Sequence, residues 1–278
     1  MANHIRSISV PSTSYPATLK VEEELYSLKA RLASSSRTAQ MICNGLSCVT
    51  DLYELVEELL RLPSNQHSLQ PSQKKWVEEQ LDDSLKMLDL IAAVKDCLVA
   101  MKEHVQDLRS TIRRKGNAPT VSNKKAQKLI KDCLRALKRM DGKPLPHSVA
   151  IKESDMVVKV FMEARGSTTS ILQSTLSLLL KPKQKTSRWF TVSKIMSKRR
   201  VACEGECDGA TDEEGADMWL QPSYACLSDK DVDAERVLKA QNHLESLEIK
   251  MENIESGIEC LFRRLIQNRV SLLNLLGL

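Results

Sequence analysis

Residues 237–275 read VLKAQNHLESLEIKMENIESGIECLFRRLIQNRVSLLNL, and this stretch decides the fold class. Its apolar residues recur every seven positions in two interleaved rows, which is the spacing of residues that face a neighbouring helix. The rows predict one long C-terminal helix, either in a coiled coil or spanning a bundle, with the polar Asn268 fixing the register. The first row is Val237, Leu244, Met251, Ile258, Leu265 and Leu272, and the second is Ala240, Leu247, Ile254, Leu261, Asn268 and Leu275.

The end of this stretch is apolar over a wider face than a two-stranded coiled coil needs. Outside the two rows lie Phe262, Ile266, Val270, Leu273 and Leu276. A two-stranded coil would leave them exposed, so we expect burial of the helix in an antiparallel bundle of several helices. Homodimerisation through the two rows is the alternative.

The rest of the chain also favours helices. With 4% aromatic residues, nine glycines and nine prolines in 278 residues, it has too few turn and strand residues for an all-β fold. The sequence therefore predicts an elongated, all-α antiparallel bundle. Apolar spacing places the other helices at about 21–32, 42–60, 73–115, 123–140, 149–164 and 168–180, and Pro63 ends the second of them. In the helix at 73–115 the spacing predicts a buried stripe, which consists of Leu81, Leu85, Leu88, Ala92, Val99, Val105, Leu108 and Ile112.

Two segments are expected to lie outside the packed helices. Residues 1–18 are too polar and proline-rich for a helix and are predicted to form a disordered arm. Residues of about 201–229 are predicted to form a mobile acidic loop within a helical domain of residues 19–278.

Charge is distributed in blocks, although the formal net charge is only +5. Residues 109–140 hold eleven basic residues and one acidic residue, and residues 181–200 hold eight basic residues and no acidic one. Residues 201–217 hold seven acidic residues and no basic one. Such blocks could bind one another, a partner or an anionic surface.

The helix predicted at 123–140 is two-faced. Its apolar residues are Ala126, Ile130, Cys133, Leu137 and Met140, and the opposite face carries Lys124, Lys128, Lys131, Arg135 and Lys138. Three interpretations stay open: a solvated face, an amphipathic helix for a membrane surface or a calmodulin-type partner, and nucleic-acid binding. Nucleic acid is the least favoured, because no aromatic residues lie nearby.

A second basic stretch surrounds Trp189 and Phe190. It could dock at a lipid interface or on a partner, or Trp189 could be buried under the bundle. Its basic surface residues are Arg188, Lys194, Lys198, Arg199 and Arg200.

Nothing in the sequence indicates catalysis, a cofactor or a metal. Nucleotide-binding and nucleophile-elbow motifs are absent from the sequence, and Cys203 with Cys207 falls short of the four ligands of a structural zinc site. Several of the eight cysteines occupy apolar helical positions, and the first twenty residues lack the apolar run of a secretory signal. We expect reduced thiols, no membrane-spanning segment and an intracellular, cytoplasmic location, with peripheral membrane or plastid association as alternatives.

The N-terminal stretch HIRSISVPSTSYP, residues 4–16, suggests regulation by phosphorylation. Arg6 lies three residues before Ser9, and Arg6-Ser7-x-phosphoSer9-x-Pro11 would match the motif that 14-3-3 proteins bind. A plain disordered tail and an organelle transit peptide are the alternatives, since no acidic residue precedes Glu22.

Several stretches in the same order resemble the plant BYPASS-like family, known as domain of unknown function 241. They are HIRSISVPSTSYP at 4–16, DLYELVEELLRLPSNQ at 51–66, LDDSLKMLDLIAAVKDCLVAMKEHVQDLRSTIRRK at 81–115, SRWFTVSKIMSK at 187–198 and GIECLFRRLIQNRVSLLNLLG at 257–277. The resemblance implies a land-plant protein, a helical fold and a non-enzymatic role in root and shoot development. It supplies no catalytic residues.

The leading hypothesis is a non-catalytic developmental regulator that acts through helical protein–protein contacts. A peripheral membrane adaptor that uses the two basic stretches is the alternative, and an enzyme is third.

Overall fold

The structure, a computed structural model, is all-α in the part of the chain that it describes. The described residues are 22–23, 25–27, 29–30, 38–62, 71–114, 120–141, 156–180, 220, 223 and 234–277. No strand occurs among them, and those between 22 and 30 are helical. The predicted fold class is therefore confirmed. The long helices are α1 (Ala39–Arg61), α2 (Pro71–Arg113), α3 (Thr120–Asp141), α4 (Met156–Leu179) and α5 (Ala234–Leu276).

Local sequence explains where α1 begins and ends. Thr38 caps it, because Thr38 Oγ1 accepts a hydrogen bond from Met41 N at 3.2 Å, so the helix starts earlier than its apolar spacing suggests. At the other end Leu62 adopts an extended conformation, with φ −61° and ψ 135°. The residue before a proline avoids the helical region, so Pro63 ends the helix as predicted.

The helices α2 and α5 form a long antiparallel pair. Lys95 pairs with Glu259, Lys102 with Glu255 at 2.5 Å, and Arg109 with Glu248 at 3.0 Å. Positions on α5 fall as those on α2 rise, which defines the antiparallel direction. We call these three pairs the α2–α5 ladder.

The rows of α5 face the interior of this same chain. Each of the nine residues from Leu244 to Leu272 in the two rows is at most 2% exposed. The helix packs against α1 and α2. A dimer through these rows would have to displace one of those two helices. The nine residues are Leu244, Leu247, Met251, Ile254, Ile258, Leu261, Leu265, Asn268 and Leu272.

The remaining helices complete one contiguous core. Helix α4 packs on α1, α3 covers α2, and α3 and α4 contact each other. Helix α4 runs through Gly166 without a break, so the predicted pair of helices at 149–164 and 168–180 is wrong for the described part. One glycine costs a helix only about 1 kcal/mol, which buried residues such as Phe161 and Leu172 offset.

Candidate interaction surfaces

The α3 basic face consists of the residues predicted from sequence. Lys124, Lys128, Lys131, Arg135 and Lys138 are all exposed on one side of α3. Arg135 pairs with Asp132 on the same helix. The four lysines have no carboxylate within ion-pair distance among the described residues, unlike the basic residues of the α2–α5 ladder. Their charge is therefore available to a partner.

The opposite, apolar side of α3 is buried against the other helices of the bundle. Ala126, Ile130, Cys133 and Leu137 are at most 5% exposed, and α3 packs on α2 and α4. Gln127 Nε2 also donates to Leu179 O at 3.5 Å, which ties α3 to the end of α4. Since its apolar side is already buried, α3 has no free apolar side to insert into a lipid bilayer. Any membrane contact of α3 must be made by the charged face.

Buried thiols lie where α2 meets α3. Cys97 and Cys133 are both buried, and their side chains are hydrogen-bonded to each other. That hydrogen bond, together with burial, raises the pKa of Cys97. The same hydrogen bond lowers the pKa of Cys133, against the opposing effect of burial. Both are free thiols, as expected for cysteines at apolar helical positions.

One exposed side of α2, which carries Leu85, Ala92 and Val99 and a neighbouring row of acidic residues, was not predicted from the sequence. We call it the α2 outer face. Sequence spacing assigned Leu85, Ala92 and Val99 to the buried side of α2, but all three are exposed, Leu85 by 49% and Val99 by 45%. Residues seven apart stay nearly in line on a helix, so they form an exposed apolar row about 21 Å long. Beside it runs a second exposed row, which is acidic: Asp82, Asp89, Asp96 and Glu103.

These acidic residues are largely unpaired within the described part of the chain. Glu103 faces Lys125 at 3.7 Å, and both side chains are more than half exposed. Asp82, Asp89 and Asp96 have no basic side chain within ion-pair distance among the described residues. The prediction missed this face because apolar residues three and four positions apart predict a buried stripe, and Leu85, Ala92 and Val99 fit that spacing. The core of α2 lies instead on the side of Ile91, Val94 and Leu98.

A buried polar group occupies the interface of α1, α4 and α5. Asn268 Nδ2 donates to Tyr53 O at 2.9 Å and to Arg264 O at 3.1 Å. Tyr53 OH lies 3.2 Å from Thr168 Oγ1, which donates to Ala164 O. Burial raises the pKa of Tyr53 to about 12, whereas the contact with Thr168 and the charge of Arg165 oppose the rise. Asn268 thus joins α5 to α1, and its role in fixing the register stays a prediction.

A cleft of about 720 Å³ opens beside the C-terminal ends of α1 and α5. Arg264 crosses it to Glu57 at 3.0 Å, and Arg61 reaches the same carboxylate at 2.5 Å. Ile266 and Val270 line the cleft and stay 42% and 50% exposed, so the expected burial of the wide apolar stripe is wrong at these two positions.

The other predicted site residues lie outside the described residues and stay predictions. They are Arg6, Ser7, Ser9 and Pro11 of the arm, Arg188, Lys194, Lys198, Arg199 and Arg200 of the second basic stretch, and Cys203 with Cys207. The arm at 1–18 and most of the acidic loop at 201–229 fall there too.

Among the helices that the structure describes, none has both the length and the apolar character required to traverse a bilayer. No three His, Cys, Asp or Glu side chains in the described part are grouped so that they could hold a metal ion.

Comparison with known proteins gives a family match. The family model described as Protein BPS1 matches residues 45–275, from within α1 to the last turn of α5, so both the α3 basic face and the α2 outer face lie inside it. No curated protein and no solved structure matches the chain.

Proposed function

The chain belongs to the BPS1 family of plant developmental regulatory proteins, and from this membership we propose that it is a non-enzymatic regulator of root and shoot development acting through helical protein–protein contacts. One observation of the structure supports contacts as the mechanism. Two exposed helix faces of opposite charge, on α3 and α2, hold ionised side chains that the bundle leaves unpaired within its described part. Charged, exposed faces of this kind steer and orient partners.

Proximity labelling in root tissue tests this proposal. The labelling enzyme is fused to the full chain, and the same enzyme expressed alone is the control. We expect a reproducible set of proteins enriched over the control. If the fused chain restores development in a mutant plant but enriches no protein, the contact mechanism is wrong.

A peripheral membrane adaptor is a second candidate, favoured by the unpaired lysines of the α3 basic face. Each basic residue close to an anionic bilayer contributes about 1 kcal/mol, so several together can hold a protein there without insertion. This attraction falls within a Debye length, which is about 10 Å at 0.1 M salt.

Flotation with phosphatidylserine vesicles tests the second candidate. We expect the full chain to float with the vesicles at low salt and to be released as salt rises. Replacing Lys128, Lys131 and Arg135 by Glu should abolish flotation. The matched control replaces Lys74, Lys75 and Lys239, which are exposed on α2 and α5, by Glu and should change flotation little. Absent or salt-independent flotation would remove this candidate.

A further inference from the structure

The α2 outer face combines two features that a binding surface for a helix requires. Its apolar residues Leu85, Ala92 and Val99 repeat every seven positions, which is the repeat by which one helix packs along another. Each is preceded, three positions earlier, by an exposed acidic residue, so the apolar and acidic rows run side by side. A partner that covers both rows needs an apolar row of its own and a flanking row of positive charge.

The opposite flank of the apolar row is already occupied by the bundle. Leu88 is buried, and Lys95 and Lys102 are held by Glu259 and Glu255 in the α2–α5 ladder. These lysines cannot turn to an incoming acidic helix without breaking an ion pair. The free charge beside the row is therefore negative, which selects a basic partner over an acidic one.

We propose that the α2 outer face binds a basic amphipathic helix of another protein. This inference rests on the proposed contact mechanism and names one of its surfaces and the chemistry of the partner. Recognition is by packing of one helix along another, in which apolar anchors supply affinity and flanking charges supply selectivity.

A second copy of the chain fits this surface poorly. Two α2 outer faces packed antiparallel would oppose acidic row to acidic row, which is unfavourable. Packed parallel, each acidic row would face the flank that carries Lys95 and Lys102, and both lysines are already held in the α2–α5 ladder. The α3 basic face of another copy has the required charge, but Val121 is the sole large hydrophobic residue exposed on α3 among the described residues. It therefore lacks the apolar row that Leu85 and Val99 need.

The binding experiment uses two synthetic helical peptides and the full chain. Both peptides have leucine at every seventh position in an alanine background. One carries lysine three positions before each leucine, and the other carries glutamate there. We expect the lysine peptide to bind at least tenfold more tightly than the glutamate peptide, as measured by fluorescence anisotropy.

Two variants locate the binding site. Asp89→Lys with Asp96→Lys should reverse the preference toward the glutamate peptide, and Leu85→Ser with Val99→Ser should weaken lysine-peptide binding at least tenfold. All four residues are exposed, so far-UV circular dichroism of both variants should match that of the unchanged chain. If the first pair leaves the preference unchanged, the peptide binds elsewhere on the chain and the proposal fails. If the second pair has no effect, the surface is merely an anionic patch, and the proposal fails as well.

One further variant tests whether the α2 outer face binds another protein or a segment of this same chain. Residues 181–200 are basic around an apolar centre, so they have the chemistry of the proposed partner. Replacing Arg188, Lys194 and Lys198 by Glu should leave peptide affinity unchanged. A gain of tenfold or more would mean that this stretch competes for the face, which would overturn the assignment to another protein.

Proximity labelling separates this inference from the proposed function. If the chain carrying Leu85→Ser and Val99→Ser labels the same proteins as the unchanged chain, the surface is wrong while the contact mechanism stands. If neither chain labels any protein above the control, the contact mechanism itself fails.

Discussion

Two glycines within helices, Gly166 and Gly257, have different surroundings. A Cβ atom added at Gly257 would lie 3.0 Å from Leu46 Cδ1 and 3.2 Å from Leu46 Cβ, whereas one added at Gly166 would meet nothing within 4 Å. Leu46 is fully buried, so it has little room to move. Gly257 therefore permits the close approach of α1 and α5, and Gly166 has no such role.

Alanine at the two glycines should have opposite effects. Alanine is favoured over glycine in a helix by about 1 kcal/mol, so we expect Gly166→Ala to raise the free energy of unfolding by about 0.5–1 kcal/mol. Gly257→Ala should lower it, because overpacking of a core costs about 1–3 kcal/mol. Urea unfolding followed by circular dichroism measures both changes. A stabilising Gly257→Ala would show that α1 and α5 can separate freely at this contact.

Tyr53 should make stability depend on alkaline pH. Its pKa is raised to about 12 by burial, while an unfolded tyrosine titrates near 10. The fold thus favours the neutral phenol, and this contribution is complete below about pH 10 and is lost as pH rises toward about 12. We expect the unfolding free energy to decline over this range by up to about 3 kcal/mol more in the unchanged chain than in Tyr53→Phe. Equal declines would indicate that the phenol reaches solvent in the folded state.

At the scale of single helices, a charge placed in the apolar rows of α5 tests whether these rows form the core of one chain or an interface between two chains. Leu247 is 2% exposed, and Ile249 on the same helix is 53% exposed. An unpaired charge in the core is very unfavourable, so Leu247→Asp should unfold the domain, while the control Ile249→Asp should leave it folded. Circular dichroism and size-exclusion chromatography measure this. A folded, monomeric Leu247→Asp from a dimeric parent would instead make the rows an intermolecular interface.

The sequence predicted the helices that have one clear apolar side. In α3 and α5 buried residues recur on one stripe, and in α1 they cover one broad side that contacts α4 and α5, so spacing located these helices and the α3 basic face. Helix α2 differs, because α5 packs on one side of it and α3 and α4 on others. Its buried arc is broad, and one apolar row lies beyond it, so spacing could not tell Leu85 and Val99 from core residues. That is why the α2 outer face was missed.

Helix α4 shows a second limit of local reasoning. The sequence Gly166-Ser167-Thr168-Thr169 reads as a break, since these residues favour turns. In the structure the hydroxyls of Thr168 and Thr169 donate to carbonyls four residues back, Ala164 O and Arg165 O, and the helix continues. Tertiary contacts such as that of Thr168 with Tyr53 decide the outcome, and they are not visible in a local pattern.

At the scale of the whole molecule, the described helices share one core. Helix α5 lies between α1 and α2, and α4 contacts α1, α2 and α3. Arg165 of α4 reaches Asp83 of α2 at 2.5 Å, and the Trp76 ring of α2 meets Phe161 of α4 edge-on at 5.8 Å. Because α4 contacts α1, α2 and α3, α5 contacts α1 and α2, and α2 also contacts α3, each helix packs against at least two others. Loss of any one helix therefore exposes apolar surface on at least two others.

This arrangement predicts that the helical part unfolds as one cooperative unit. Trp76 is 8% exposed and reports on the contact between α2 and α4. With Trp189 and Trp219 replaced by Phe, Trp76 becomes the single tryptophan of the chain. We expect its fluorescence and the far-UV circular dichroism to change at the same urea concentration, which is the signature of a two-state transition. Leu172→Ala, which creates a cavity in α4, should lower both midpoints together, because a buried leucine truncated to alanine costs about 2–5 kcal/mol. If the Trp76 signal changed first, and if Leu172→Ala moved only that transition, α4 would be a separately docked element and the single-domain arrangement would be wrong.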